Sequence, residues 1–189
     1  SMWPVRGAPV VKDGIVYFTA GIWPFMGVFI HAVDAKSGVP VWTNSSNGSK
    51  YIVQQHGSRA FAGVAPQGYL AISDGVLLVP GGRSVPAAFD LKTGRFLYFH
   101  ISSRQFGKDA GGYGIKTANE FFVNGAVCYQ SKTGGGLLAQ AVSVIDGKTL
   151  YTVEKKELIA FTDQPQKQQI IDRKGKKRTV LQRVVLWKK

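Results

Sequence analysis

The feature that most constrains this chain is an internal repeat of about forty residues, a length typical of propeller blades. Two copies are clear, at 8–42 and 69–98. Each contains an apolar segment, an Asp-Gly pair, a second apolar segment and a loop. A third segment, an Asp-x-Lys-Ser/Thr-Gly turn and a fourth segment with a terminal aromatic residue follow. A unit of this length buries its faces only by stacking on its neighbours.

The turn residues predict strands. Asp-Gly pairs supply the positive φ angles of two-residue hairpin turns, and β-branched and aromatic residues flank them here. The Asp of the second turn can accept hydrogen bonds from the backbone of its own turn. Each unit is therefore predicted to be a four-stranded antiparallel meander. The predicted structural residues of the repeat are Asp13, Gly14, Asp34, Gly38, Trp42, Asp74, Gly75, Asp90, Gly94, Tyr98, Asp146 and Gly147.

Two further copies are more divergent, at 116–134 and 141–162. In the last copy Asp146 aligns with Asp74, and a second landmark shares the same offset, which favours a repeat over chance. The chain is thus predicted to be one all-β module of about four blades. The approximate blades are 5–43, 64–101, 113–140 and 141–189.

The last copy leaves one alternative open. The segment 148–164 lacks Gly and Pro, so a helix is possible there, although its apolar spacing fits a helix only partly. We predict two strands instead. The fourth strand of this copy is then expected at 184–187, delayed by a polar insertion at 164–178.

The second turn carries a family resemblance. Residues 32–42 (Ala-Val-Asp-Ala-Lys-Ser-Gly-Val-Pro-Val-Trp) resemble the docking motif of PQQ-like, or quinoprotein-like, β-propeller repeats, and 88–98 repeat it with Tyr in place of Trp. In that family the terminal aromatic packs against the neighbouring blade, and the turn glycine leaves room for it. The resemblance therefore implies that Trp42 and Tyr98 are anchors between blades.

The resemblance also implies a partial ring. The family usually closes with eight blades, so four would make half of that ring. We expect either the remaining blades of a longer chain or a second copy to complete it, because open blade flanks expose apolar surface. A compact four-bladed ring is the third option.

Quinoprotein dehydrogenases of this family hold PQQ with Ca²⁺ beneath a disulfide between adjacent cysteines. Cys128 is the single cysteine, so that disulfide cannot form here. Calcium needs six to eight oxygen ligands, whereas five of the eleven acidic residues already have turn roles and no cluster of Asp, Glu and Asn appears. We predict no cofactor, no metal and no catalytic residue, with a segment of a PQQ-dependent dehydrogenase as the alternative. His31, His56 and His100 do not share metal-ligand spacing, so we expect them to be packed or solvated.

The function that the sequence favours is a non-catalytic scaffold for a protein or glycan partner. Its loops differ in length, and the longest are 22–26, 44–62 and 164–178. We expect Trp23 and Phe25 to tuck onto a neighbouring blade, rather than to form an exposed contact patch. Arg6 and Arg83 lie near corresponding strand ends and are candidates to face a central channel or ligand.

The formal net charge of +13 raises a second alternative, binding to nucleic acid or an anionic surface. The charge is concentrated in 155–189, which holds eleven Lys and Arg residues against three acidic ones. The densest run is 173–178. No base-reading motif accompanies it, so we predict a solvated loop and no nucleic-acid partner.

One stretch is long enough to span a bilayer, since 14–33 carries no charged side chain. Pro24, Gly21 and Gly27 interrupt it, and we predict no membrane span. The N-terminus lacks the charged and apolar regions of a signal peptide. A periplasmic or extracellular location is therefore implied by the family resemblance alone.

Overall fold

The computed structural model describes residues 3–54, 57–82, 84–101, 114–125, 127–138, 142–172 and 174–189. They form four four-stranded antiparallel sheets in chain order, here called blades one to four, and two inserted hairpins. This confirms the predicted all-β fold of four-stranded units. Within the described part of the chain, no helix has the length and hydropathy needed to cross a lipid bilayer.

Blade one contains β1 (Val10–Lys12), β2 (Ile15–Ala20), β3 (Phe29–Asp34) and β4 (Pro40–Asn44), with a 3-10 turn (Pro24–Met26) between β2 and β3. The first inserted hairpin contains β5 (Lys50–Val53) and β6 (Arg59–Ala62). Blade two contains β7 (Ala71–Ser73), β8 (Val76–Val79), β9 (Val85–Asp90) and β10 (Phe96–His100).

Blade three contains β11 (Lys116–Thr117), β12 (Phe121–Asn124), β13 (Val127–Gln130) and β14 (Gly136–Leu138). Blade four begins with β15 (Val144–Asp146), β16 (Thr149–Glu154) and β17 (Glu157–Thr162). The second inserted hairpin, β18 (Gln166–Ile171) and β19 (Lys177–Gln182), precedes the last strand of blade four, β20 (Val185–Lys188). In every blade the strands pair in the order of the chain.

The two clearest blades begin with the same tight turn. Asp13 and Gly14 join β1 to β2 with φ angles of 51° and 77°, and Asp74 and Gly75 join β7 to β8 with 49° and 70°. Two successive positive φ angles define a type I′ turn, whose twist matches that of the flanking strands. The Asp-Gly pairs thus lie at the first turn of these blades.

In blade four the predicted turn position is wrong by one residue. Asp146 is the last residue of β15 and pairs with Thr149, so the turn is Gly147-Lys148. Thr149 in turn pairs with Thr162, as Val76 pairs with Asp90 in blade two. The register is fixed by which side chains face the core, and it overrides the preference of Asp for the turn.

The segment 148–164 forms β16 and β17 rather than a helix, and β20 pairs with β17 after the insertion. The insertion itself is a hairpin, which corrects the predicted solvated loop. Its strands pair from Gln166 with Gln182 to Ile171 with Lys177. Asp172 accepts hydrogen bonds from two backbone N–H groups at the tip, and this closes the turn. Arg173 lies outside the described residues. The predicted loop at 44–62 likewise contains a hairpin, β5–β6.

The hydrophobic core lies between successive blades. Three clusters of buried side chains fill the interfaces of blades one and two, two and three, and three and four. Neighbouring residues of a strand point to opposite faces. Leu77 and Leu78 are both fully buried, so blade two is covered on both sides. The full burial of one leucine side chain contributes roughly 1.5–3 kcal/mol to the free energy of unfolding.

The blades converge along their first strands. β11 lies beside both β7 and β15, and Ala8 forms a parallel bridge with Tyr69 just before β1 and β7. The connection between the second and third strands, and the link to the next blade, lie at one end of each sheet. We call this end the loop face. The two remaining connections of each blade lie at the opposite end, the turn face.

The array is open. Among the described residues, blade one has a blade on one side only, and so has blade four. Val11 on the outer side of blade one is 61% exposed, and Val144 on the outer side of blade four is 56% exposed. The four blades therefore form a partial propeller and not the compact four-bladed ring.

Candidate functional site

The repeat motif places an aromatic ring of one blade on the turn glycine of the next. Trp42 lies against Gly94, where a Cβ atom would be 2.4 Å from Trp42 Cε3. The indole Nε1 donates a hydrogen bond to the carbonyl of Leu91 at 3.1 Å, and Asn44 Nδ2 donates to the carbonyl of Gly94 at 2.8 Å. Blades one and two are thus joined by ring packing and by two hydrogen bonds.

The next interface repeats this arrangement with tyrosine. Tyr98 lies against Gly134, where a Cβ would be 2.5 Å from Tyr98 Cε2. Its hydroxyl donates to the carbonyl of Ser131 at 2.8 Å, and His100 stacks on its ring with centroids 5.4 Å apart. Burial raises the pKa of Tyr98 well above its usual range. The motif aromatics are therefore joints between blades.

The motif aspartates close their own turns. Asp34 Oδ1 accepts from the backbone N–H and the hydroxyl of Ser37, each at 2.8 Å. Asp90 Oδ1 accepts from the hydroxyl of Thr93 at 2.7 Å and from its N–H at 2.9 Å. These hydrogen bonds lower the pKa of both carboxyl groups, with the Ser37 N–H the main cause at Asp34 and the Thr93 hydroxyl at Asp90.

Other described carboxylates also have partners in the protein. Asp74 forms an ion pair with Lys132 at 2.9 Å between blades two and three. Asp163 accepts a hydrogen bond from Asn119. Among the residues that the structure describes, no three His, Cys, Asp or Glu side chains lie close enough to hold a metal ion. The expected absence of a metal and of a cofactor stays a prediction.

The thiol is buried, whereas His31 and His100 are half-buried. Cys128 is buried between blades three and four, and burial raises its pKa to about 12, which keeps it protonated at neutral pH. His31 stacks on Phe18 with centroids 4.9 Å apart, and its Nδ1 lies 3.0 Å from Thr43 Oγ1. Burial lowers the pKa of His31. His56 lies outside the described residues.

Of the two arginines predicted to face a channel, only Arg6 lies in the described part of the chain. Arg6 lies just before β1, where its N–H donates to the carbonyl of Thr19 at 3.2 Å, and its side chain is exposed. Arg83 lies outside the described residues. Their suggested contact with a ligand stays a prediction.

The loop face of blade one carries a cluster of exposed apolar side chains, here called the aromatic cluster: Trp23, Phe25, Met26, Tyr51 and Phe61. Each of them is more than half exposed. The rings of Trp23 and Phe25 stack with centroids 6.2 Å apart, and those of Tyr51 and Phe61 lie 5.1 Å apart as a cross-strand pair. β6 lies beside the 3-10 turn, so both pairs share one region.

The cluster corrects the expectation that Trp23 and Phe25 tuck onto a neighbouring blade. The segment before the first hairpin lies close to the backbone that follows the 3-10 turn, since a Cβ on Gly48 would lie 2.9 Å from Val28 N. Sequence reasoning does not identify Tyr51 and Phe61 either, because their proximity depends on the pairing of β5 with β6.

The aromatic cluster is held in place before any partner arrives. Pro24 begins the 3-10 turn, where its fixed φ is favourable. Trp3 donates from Nε1 to the carbonyl of Met26 at 3.1 Å and packs edge-on against Phe29 with centroids 5.5 Å apart. A pre-ordered surface loses less conformational entropy on binding.

The four sheets and their ring-on-glycine contacts define the class of this protein as a β-propeller, open in this chain, with blade contacts of the kind expected for the PQQ-like repeat. No protein-family model and no curated protein matches the sequence.

Several solved structures are similar. BamB from Moraxella catarrhalis has 17% identity and a TM-score of 0.45, and the match covers 96% of this chain and 49% of that one. The quinohemoprotein alcohol dehydrogenase from Comamonas testosteroni has 15% identity, a TM-score of 0.44 and coverage of 86% and 29%. A europium-containing methanol dehydrogenase has 13% identity and a TM-score of 0.45, and the match covers 96% of this chain and 38% of that one. The chain spans half or less of the length of each.

Proposed function

We propose that this protein is a non-catalytic β-propeller scaffold that binds a protein partner on the aromatic cluster. The observation that carries the proposal is the exposure of two ring pairs and a methionine on one pre-ordered surface. Large apolar groups that stay exposed together on a folded protein mark interaction sites.

The composition of the cluster favours a protein over other ligands. Trp, Tyr, Phe and Met are the residues enriched at the centres of protein interfaces, where charged residues are depleted. Met26 adds a flexible, polarisable side chain that adapts to a partner's shape. The stretch 14–33 that supplies three of the five residues contains no charged side chain.

The same proposal includes an exported location, as the family resemblance implies. Fractionation of cells that express the protein, with a periplasmic marker as reference, tests this point separately from binding.

Selection of a displayed library of random twelve-residue peptides on the full chain tests the binding surface. We expect peptides rich in apolar residues, whose affinity falls about tenfold or more in Trp23→Ala and in Phe61→Ala, as for central interface aromatics. Ile171→Ala is the matched control, because Ile171 is an equally exposed apolar residue on the second hairpin.

Three results would overturn the proposal. They are a failure to select any peptide, equal loss of binding in Ile171→Ala, and binding only to a glycan array through Trp23. A rise of several degrees in the thermal midpoint on adding PQQ and Ca²⁺ would instead favour the dehydrogenase alternative, because a ligand of the folded state stabilises it.

A further inference from the structure

The outer face of blade four repeats the inner face of blade one. Across the sheet of blade one, four paired residues form a row that faces blade two: Val10, Tyr17, Ala32 and Trp42. Blade four has the same four residue types, in the same order and pairing: Val144, Tyr151, Ala160 and Trp187. This second row faces away from blade three.

The ring geometry of the two rows is also the same. Tyr17 and Trp42 have centroids 6.0 Å apart at 47°, and Tyr151 and Trp187 have centroids 6.1 Å apart at 55°. Their surroundings differ, because beneath blade two Tyr17 is buried and Trp42 is half-buried, whereas Tyr151 is half-buried and Trp187 is 41% exposed. Blade four thus presents a docking face with nothing on it among the described residues.

Blade one presents the complementary half. The turn glycines Gly38, Gly94 and Gly134 have nearly equal φ angles of 71°, 69° and 67°. Gly94 and Gly134 each receive a ring from the preceding blade, whereas no described heavy atom lies within 4 Å of a Cβ built on Gly38. Gly38 is therefore an empty socket for an aromatic anchor.

The socket also carries the acceptor that such an anchor needs. Trp42 Nε1 donates to the carbonyl of Leu91 in blade two. The N–H of Leu91 donates in turn to the carbonyl of Gly75, in the first turn of blade two. Ala35 holds the matching place in blade one, with its N–H donating to Gly14. The carbonyl of Ala35 is thus placed like that of Leu91.

Charge complementarity favours the same alignment. Lys132, two residues before Gly134, pairs with Asp74 in the first turn of the preceding blade. Lys36 stands two residues before Gly38, and Asp146 lies beside the first turn of blade four. We call the outer face of blade four the Trp187 face, and the face of blade one that carries the empty socket the Gly38 face. Contact between these two faces brings the opposite charges of Lys36 and Asp146 to the same edge.

We infer that the Trp187 face of one chain docks on the Gly38 face of a second copy. The ring of Trp187 then lies on Gly38, and Nε1 donates to the carbonyl of Ala35. Each chain carries one anchor and one socket, so the contact is head-to-tail. Two copies that make the contact twice give eight blades, within the range of closed propellers. The aromatic cluster on the loop face takes no part in this contact.

Light scattering with size-exclusion chromatography of the full chain tests the inference. At about 100 µM, above the dissociation constant of an ordinary micromolar interface, we expect twice the 20.5 kDa mass of the chain. Trp187→Ala should weaken the association at least about tenfold, as for a buried interface tryptophan. Trp187→Tyr should retain it, because Tyr98 makes the equivalent contact between blades two and three.

Gly38→Val provides an independent test on the other face. Its matched control is Gly14→Val, because Gly14 has a similar φ of 77° and open space around it. Gly75, which holds the same position in blade two, also has open space and receives no ring from another blade. We expect Gly38→Val to be monomeric and Gly14→Val to remain associated. A single-chain mass for the wild type, or association unaffected by both Trp187→Ala and Gly38→Val, would overturn the inference.

Discussion

Trp42 occupies the space that a side chain on Gly94 would need, with 2.4 Å between its Cε3 and the position of the missing Cβ. The two residues are 52 positions apart in the sequence and belong to different sheets. Their contact joins blade one to blade two, and it tolerates only glycine on one side. The first prediction concerns this contact.

We expect Gly94→Ala to destabilise the protein by about 2–4 kcal/mol, because it adds overpacking against a ring to the cost of a positive φ. Gly14→Ala has a similar φ but open space, so it should cost only about 1 kcal/mol. Urea unfolding followed by tryptophan fluorescence measures both. Equal losses for the two variants would show that ring packing contributes nothing.

Two buried tyrosines should respond differently to loss of their hydroxyl groups. Tyr129 OH is buried without a hydrogen-bond partner among the described residues, whereas Tyr98 OH donates to Ser131. We expect Tyr129→Phe to be neutral or more stable by about 1 kcal/mol, and Tyr98→Phe to be less stable by about 1–2 kcal/mol. Thermal unfolding by circular dichroism compares them. A clear loss of stability in Tyr129→Phe would mean that its hydroxyl has an unseen partner.

The turn aspartates predict an acid-sensitive fold. Because the folded-state pKa of Asp34 and Asp90 lies below the ordinary 3.8, their contribution is complete above that value and is lost as the pH falls through the folded pKa. The double variant Asp34→Asn/Asp90→Asn should flatten the decline of the unfolding free energy below about pH 5. Denaturant titrations from pH 7 to pH 2 give this slope. Asp13→Asn, at a turn without these bonds, serves as the control, and an unchanged slope in the double variant contradicts the prediction.

The second hairpin should be dispensable for the fold. All six residues of β18 are exposed, and β20 pairs with β17 independently of it. We expect replacement of 166–182 by a short Gly-Ser link to leave the thermal midpoint within a few degrees.

Any affinity for duplex DNA at about 50 mM salt should disappear by about 200 mM, as non-specific phosphate binding does. Tight binding that survives at the higher salt and is lost on deletion would favour the nucleic-acid alternative over a scaffold.

The sequence predicts this fold well where local chemistry and register agree. In blades one and two, the Asp-Gly pairs and the Asp-x-Lys-Ser/Thr-Gly turns lie at strand ends whose apolar faces also match. In blade four these signals separate by one residue, and the apolar faces decide the register. A turn residue is a local preference, whereas a one-residue shift would expose an entire strand face.

The candidate binding surface is much harder to predict. The exposure of Trp23 depends on how its loop packs against the rest of the protein, and packing of this kind has no signature in the sequence. The pairing of Tyr51 with Phe61 spans a turn that residue type alone does not locate. The basic segment is predicted to be a loop because β18 is exposed along its whole length and its sequence does not alternate between apolar and polar residues.

Backbone hydrogen bonds run mainly inside each blade, and side chains provide most of the attachment from one blade to the next. A terminal blade in such an array is stabilised by one neighbour only, so the terminal blades are expected to unfold before the inner ones. Amide exchange should therefore be fastest in the first and last sheets, while β8 and β12, shielded from both directions, retain their protons longest.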